Sequence, residues 1–320
     1  MNSTFYGQPR EAVTRAWAAR TPARFEFSVK LYQKFTHPRL FKERLAGQLP
    51  GEAPEPALLD ALARPNDADI DAFRRGIDPL ASSGRLGALL AQFPASFKNE
   101  PSSRGYLEWL LRAFKDYALA VELRHRSFSE DPIEAMQLLA EYGAALVQID
   151  EPKFKDSIRQ NRRPNVKTIY YMRLHGRNAA DWWTHDKSED RYNYLYSADE
   201  LREFADVAGA ARTLVKKSYL YTNNHFSAKS VVNAVMLKAQ LGEPLEGEYP
   251  DALVEEYPAL ATVLAARPAP AGPLRGTRPT HETQPSPAGR RSGSRPAHET
   301  QTAPAVPRRG SRPTLRSRGE

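Results

Sequence analysis

Six short apolar runs, each ending in polar or charged residues, constrain this chain more than any other feature. They are Phe25–Lys30, Leu86–Phe93, Ala118–Arg124, Ala144–Asp150, Thr168–His175 and Ser218–Asn223. The segments between them carry apolar residues at helical spacing. Strands alternating with helices form parallel sheets, because a parallel pair needs a long crossover connection, usually a helix. The pattern predicts an α/β fold. If the sheet closes into a TIM-barrel-like (β/α) barrel, its polar strand ends converge on one mouth, where the active sites of such barrels sit. A closed barrel needs eight strands, and only six runs are recognisable, so either the expected barrel is incomplete at its N-terminal side, lacking two strands, or the sheet is open.

Several helices announce their own starts. Ser197 and Glu200 have capping-box spacing before Leu201, Phe204, Ala205 and Ala208. Ser227 is a candidate cap for a helix with Val231, Val232, Val235 and Met236 on one face, and Ser102 or Ser103 for one with Tyr106, Leu107, Leu110 and Leu111. Asp131 and Pro132 open another, and a weaker helix spans Asp69–Leu80. Two long loops follow the fourth and fifth runs. The first, residues 153–167, holds six Lys/Arg and one Asp. The second, residues 177–196, is crowded with Trp182, Trp183, Tyr192, Tyr194 and Tyr196, and its His185 reads as a surface histidine. Aromatic loops of this kind usually pack as lids on the rim, and long loops at a barrel mouth often carry function.

The formal charge of +8 resides wholly in residues 265–320, which hold 11 Arg against 3 Glu; residues 1–264 are neutral overall. That tail contains ten prolines and a loose repeat at 278–284 and 295–301. Such composition cannot bury enough apolar surface to offset chain ordering, so the chain reads as a 1–264 barrel domain and a disordered basic tail, 265–320. The tail could touch nucleic acid or another polyanion weakly. There is no cysteine, which excludes disulfides, thiolate metal sites and a Cys nucleophile and fits a reducing compartment. The first residues show neither a secretory signal nor any membrane-length apolar stretch, and a cytoplasmic location is expected.

The chemistry is expected at the strand ends, where side chains two apart share a face. Glu122 and Arg124 form one such pair, Arg173 and His175 another. Asp150 ends a further strand, Asn223 and Asn224 another, and Lys30 and Gln92 complete the ring; His125 lies just beyond one end. Glu122, His175 and Asp150 are the candidate acid–base groups. Lys30, Gln92, Arg124, His125, Arg173, Asn223 and Asn224 are candidate ligand contacts, with the cationic groups suited to an anion. The opposing reading is structural: Glu122 paired with Arg173 satisfies both charges at a crowded barrel top. Glu122, His125, Asp150 and His175 also form a mixed N/O set that zinc or manganese would accept, although no short metal signature is present. No dinucleotide, Walker or nucleophile-elbow motif occurs, and no cofactor is indicated. The residues therefore suggest an enzyme acting on a small anionic, phosphorylated or nucleotide-like ligand. The alternatives are a non-catalytic ligand- or nucleic-acid-binding module, or a truncated, inactive remnant.

In this order, Asn2-Ser-Thr-Phe-Tyr6, Phe25-x-Phe-Ser-Val-Lys30 with Thr36-His37, Gln92-Phe-Pro-x-Ser-Phe97, Glu122-x-Arg-His125, Asp150, Arg173-Leu-His-Gly-Arg177, Tyr194-x-Tyr-Ser197 and Asn223-Asn224 resemble the YecE-like family, domain of unknown function 72. The resemblance runs over residues 2–242. It implies a TIM-barrel-like fold and brings no established reaction. Members of that family usually begin with a Gly-Thr/Ser-Gly-Trp strand, whereas here Met1 stands immediately before Asn2-Ser-Thr-Phe-Tyr6. The resemblance thus implies a missing first strand, its helix and most of a second strand, leaving unpaired sheet edges.

Overall fold

The computed structural model describes residues 1–48, 55–160, 162–183, 187 and 189–266. The basic tail from residue 267 onward and His185 lie outside the described residues. Among the described residues seven strands form, all paired in parallel: β1 (Phe27–Lys30), β2 (Leu86–Gln92), β3 (Leu119–Glu122), β4 (Ala145–Leu146), β5 (Gln148–Asp150), β6 (Ile169–Leu174) and β7 (Lys217–Thr222). They lie in two ladders, β1-β2-β3-β4 and β5-β6-β7. The α/β class with parallel pairing follows the sequence pattern. No closed barrel forms: among the described residues no ladder joins β7 to β1.

The fourth apolar run explains the division into two ladders. Val147 alone separates β4 from β5, and its amide still reaches Val121 O at 2.9 Å. The run therefore behaves as one strand that leaves β3 and continues beside β6. Backbone groups left over at this exchange are met by side chains of the 153–167 loop. Leu146 N donates to Asn165 Oδ1 and Ile149 N to Gln160 Oε1, both at 2.8 Å. The same amides donate back, Asn165 Nδ2 to Ala144 O at 2.9 Å and Gln160 Nε2 to Val147 O at 2.7 Å. Expected as a long basic loop, this segment ties into the sheet as a belt through Gln160 and Asn165.

Register sorts the side chains into two faces. Ala88, Ala120 and Ala145 are in register with inward positions of their neighbours, and bulky Tyr171 and Tyr219 come from the opposite ladder. The sheet curls enough for Tyr171 Oη to meet Ser28 Oγ at 2.6 Å across the interior. Where β1 and β7 approach each other, side chains replace a ladder. Tyr219 Oη donates to Glu26 Oε2 at 2.7 Å, and Lys217 pairs with Glu26 Oε1. A Cβ at Gly87 would lie 2.6 Å from Tyr219 Oη, so glycine makes room for this contact. The outer face packs on helices. Tyr170, Met172 and Leu174 meet Leu201, Phe204, Val232 and Met236, while Phe35, Phe73 and Phe114 form a buried edge-to-face trio.

Local capping explains several helix boundaries. Ser197 and Glu200 form the expected capping box at the start of Ala198–Arg212. An unanticipated second box, Asn66 with Asp69, starts the helix two residues earlier than expected, at Asp67, and it runs to Ser82. Ser227 does not cap the helix Lys229–Gln240; it and Ala228 hold left-handed conformations (φ 47° and 59°), and Ser227 Oγ donates to Glu256 Oε1 instead. Asn2–Tyr6 includes a short helix, Ser3–Tyr6, whose Thr4 Oγ1 donates to Lys30 O at 2.6 Å. No helix among the described residues is long and apolar enough to cross a membrane.

The belt makes a direct prediction. Gln160→Ala and Asn165→Ala each strand a sheet amide and a carbonyl, and each is expected to lower unfolding free energy by about 1–3 kcal/mol. Arg39→Ala, which removes only an exposed i,i+4 ion pair, should cost no more than about 0.5 kcal/mol. Urea denaturation of the three variants checks the contrast, and equal losses would refute the belt.

Candidate functional site

The inward residues of the strand ends come together around one buried carboxylate. Glu122, fully buried at the end of β3, accepts on Oε1 from Arg124 Nε at 2.8 Å and Nη2 at 2.6 Å. Its Oε2 accepts from Arg173 Nη1 on β6. Arg173 also donates to Gln92 Oε1 at 2.8 Å and to Asn223 Oδ1 at 3.2 Å. Since Asn223 Oδ1 is thus occupied as an acceptor, its Nδ2 donates to His175 Nδ1 at 3.0 Å. His175 Nε2 lies 3.5 Å from Glu122 Oε1 and 3.3 Å from Arg124 Nη2. Glu122, Arg124, Arg173, His175, Gln92 and Asn223 therefore form one network built from four strand ends.

Electrostatics assign these groups fixed states. Burial pushes the Glu122 carboxyl up, but Arg173, Arg124 and His175 together hold it well below the usual carboxylate range. Burial pushes His175 down to about 3; Glu122 opposes this, and Arg173 and Arg124 reinforce it. His175 is therefore a neutral ring near pH 7, unlike the proton carrier expected from sequence. Both oxygens of Glu122 are committed to guanidinium groups, which is the geometry of a fixed negative pole.

Two expected members lie elsewhere, and parity is the reason. Asp150 is in register with Leu174, an outward residue. Its carboxylate accepts from Arg177 Nε at 2.7 Å and Nη2 at 3.1 Å, and from Tyr196 Oη at 2.8 Å. Asn224, one residue past inward Asn223, is buried and donates to Tyr194 O at 2.7 Å and Asn233 Oδ1 at 2.8 Å. His125 stays on the rim, its Nδ1 2.8 Å from Ser127 Oγ. Glu122, His125, Asp150 and His175 thus do not form a shared metal ligand set.

The inward carboxylate at this level is Glu151, which the sequence reading passed over. It is 5% exposed, and Arg124 Nη1 lies 3.0 Å from its Oε2, although off hydrogen-bond geometry. Burial raises its carboxyl; Arg124 opposes the shift, and Glu122 and Asp150 add to it. Counting two residues back from Glu151 to inward Ile149 would have found it, had the register of this doubly buried run been visible. Around the network, Tyr192 lies 6.5 Å from His175 and 4.9 Å from His225 between ring centres, and Trp182 is buried behind it. Trp183 is exposed and faces Phe154 at 5.5 Å.

Beside Arg173, the space between β1 and β7 holds a cavity of about 280 Å³. Lys30, Arg173 and Asn223 line it, with Ser28, Tyr171 and Tyr221 one layer deeper. Burial, then Arg173, pushes the Lys30 ammonium down to about 7, against the pull of Glu122. His37, beyond the end of β1, is pushed down to about 4 by burial and then by Lys30 and Arg124.

Known proteins share this framework. The chain is 26% identical over 257 residues to the UPF0759 protein YunF of Bacillus subtilis, covering 78% of this chain and 83% of YunF. A DUF72 family protein from Thermotoga maritima, solved by crystallography, is 32% identical with a TM-score of 0.60; the match covers 75% of this chain and 82% of that one. A DUF72 family protein from Enterococcus faecalis shares the fold at 24% identity and a TM-score of 0.64, covering 78% and 86% of the two chains. The profile described as "Protein of unknown function DUF72" matches residues 1–255, and the chain belongs to that family.

Proposed function

We propose that the mouth of the sheet binds a small anion and that the protein is an enzyme acting on it by acid–base chemistry. In this reading the two ladders are the larger part of a TIM-barrel-like architecture, with the site at the carboxyl ends of its strands. The observation that carries it is the cavity between β1 and β7, into which Lys30, Arg173 and Asn223 converge. Arg173 and Asn223 would orient the anion, and Lys30 would add charge as its ammonium becomes favourable beside a bound anion. Glu122 is the fixed pole that holds Arg173 in place. Glu151, buried and with an oxygen outside any hydrogen bond, is the better acid–base candidate.

Inorganic phosphate and sulfate are expected to raise the melting temperature, while glucose and matched chloride leave it unchanged. Lys30→Met and Asn223→Ala should each weaken phosphate binding about tenfold, read by isothermal titration calorimetry. An absence of stabilisation by any oxyanion would refute the pocket. Glu151→Gln separates an enzyme from a binding module: phosphate affinity should stay within about twofold, whereas turnover should fall by about 10²–10⁴.

Two stability measurements test the assigned charge states. Glu122→Gln leaves two guanidinium groups short of their carboxylate and should cost about 3–5 kcal/mol. The Lys30 ammonium is disfavoured in the fold, where it titrates at about 7 against an ordinary 10.5. The unfolded chain therefore holds the extra proton between these values. Unliganded protein should gain stability relative to Lys30→Met as pH rises through that window, with the full penalty present below pH 7. A flat difference in urea midpoints across the window would contradict the assignment.

A further inference from the structure

Lys30 stands apart from the other partly buried lysines. Lys34 pairs with Asp69 at 2.8 Å, and Lys42 pairs with Asp60 at 2.5 Å. Among the described residues no carboxylate lies within ion-pair distance of Lys30 Nζ and no side chain or carbonyl accepts a hydrogen bond from it. Its nearest recorded partner is the face of Phe5, 3.9 Å from Nζ to the ring centre. As the last residue of β1, on the inner face in register with Leu90, it is directed at the 280 Å³ cavity beside Arg173. A lysine used only to hold an anion is better served by a strongly charged ammonium. An amine in a poorly solvated site next to a permanent cation instead has the environment of an activated nucleophile.

We propose that Lys30 forms a Schiff base with a small aldehyde or ketone that carries a carboxylate or phosphate, the anionic group being held by Arg173 and Asn223. The proposal rests on the anion pocket and names the class of compound it takes. The Nζ lone pair attacks the carbonyl carbon, the C=O π pair moves to oxygen, and a proton passes from nitrogen to that oxygen to give a carbinolamine. Loss of water then forms the C=N bond, so both amine hydrogens leave in the water and no oxidant or reductant is consumed. The lowered proton affinity of Lys30, caused by burial and then Arg173, supplies free amine at neutral pH. The charged and titratable groups around it are Arg173 on β6, Glu122 and Arg124 from the end of β3, His37 beyond β1, Tyr171, Tyr221 and the amino group of Met1. A cavity of this size admits a compound of a few carbons.

The test traps the imine in the full chain with glyoxylate and sodium cyanoborohydride at pH 7, followed by intact mass and peptide mapping. The reductant delivers hydride to the imine carbon and leaves a stable secondary amine. One carboxymethyl adduct is expected, on Lys30, forming about tenfold or more faster than on Lys34 or Lys217 and slowed by inorganic phosphate. Lys30→Arg should lose this adduct while the slower adducts on Lys34 and Lys217 persist unchanged. Adducts spread over surface lysines, or confined to the Met1 amino group, while phosphate still stabilises the protein, would overturn the nucleophile and leave the anion pocket standing. If phosphate fails to stabilise the protein, the pocket reading falls separately. Competitive acetylation with acetic anhydride then decides the amine itself: a Lys30 reactivity midpoint near pH 7 supports it, and one above pH 9 overturns it.

Discussion

The buried carboxylate of Glu122 organises the upper part of this protein. Three elements send cationic or polar groups toward it, and each can be buried there only because Glu122 is present. Removing a carboxylate from such a position leaves guanidinium groups in a low-dielectric interior, which costs far more than an exposed ion pair contributes. The chain of dependence runs outward. Glu122 fixes Arg173, Arg173 occupies Asn223 Oδ1, and Asn223 in turn meets His175 at Nδ1. The cavity wall formed by Arg173 and Asn223 is thus set by a residue that does not itself line the cavity.

This hierarchy separates two carboxylates that look alike in composition. Glu122 is saturated by donors and keeps its charge. Glu151 shares Arg124 with it from the other side, yet its environment pushes the proton affinity upward. Neighbouring groups whose proton affinities are driven apart are the usual raw material of acid–base chemistry. The arrangement fixes the charge of one and raises the proton affinity of the other.

Much of this was legible before any coordinates. The Glu-x-Arg and Arg-x-His spacings place Glu122, Arg124, Arg173 and His175 on inward faces, and the alternation of apolar runs with helical stripes gives parallel pairing. Legibility ended where strand parity could not be seen. Ala144–Asp150 is buried on both faces, as strands of parallel sheets are, so nothing in its composition distinguishes Asp150 from Glu151. Asn223 and Asn224 present the same ambiguity, resolved by the pairing of β7 with β6. Gln160 and Asn165 acquire their roles only once the fourth run changes partners, a tertiary event with no local signature. The neutral state of His175 likewise depends on its complete burial in the assembled sheet, reinforced by two guanidinium groups that arrive from different strands.

The approach of β1 to β7 has a consequence of its own. Ladders resist separation through many backbone hydrogen bonds that must break together, whereas this seam consists of Glu26 with Lys217 and Tyr219, and Ser28 with Tyr171. Parting it exposes a few side-chain contacts, each contributing about 1 kcal/mol, and leaves every strand pairing intact. Among the described residues this wall of the cavity is therefore held by side chains, where the rest of the sheet is held by backbone hydrogen bonds, so a single substitution at Glu26 or Tyr219 reaches it without touching a ladder.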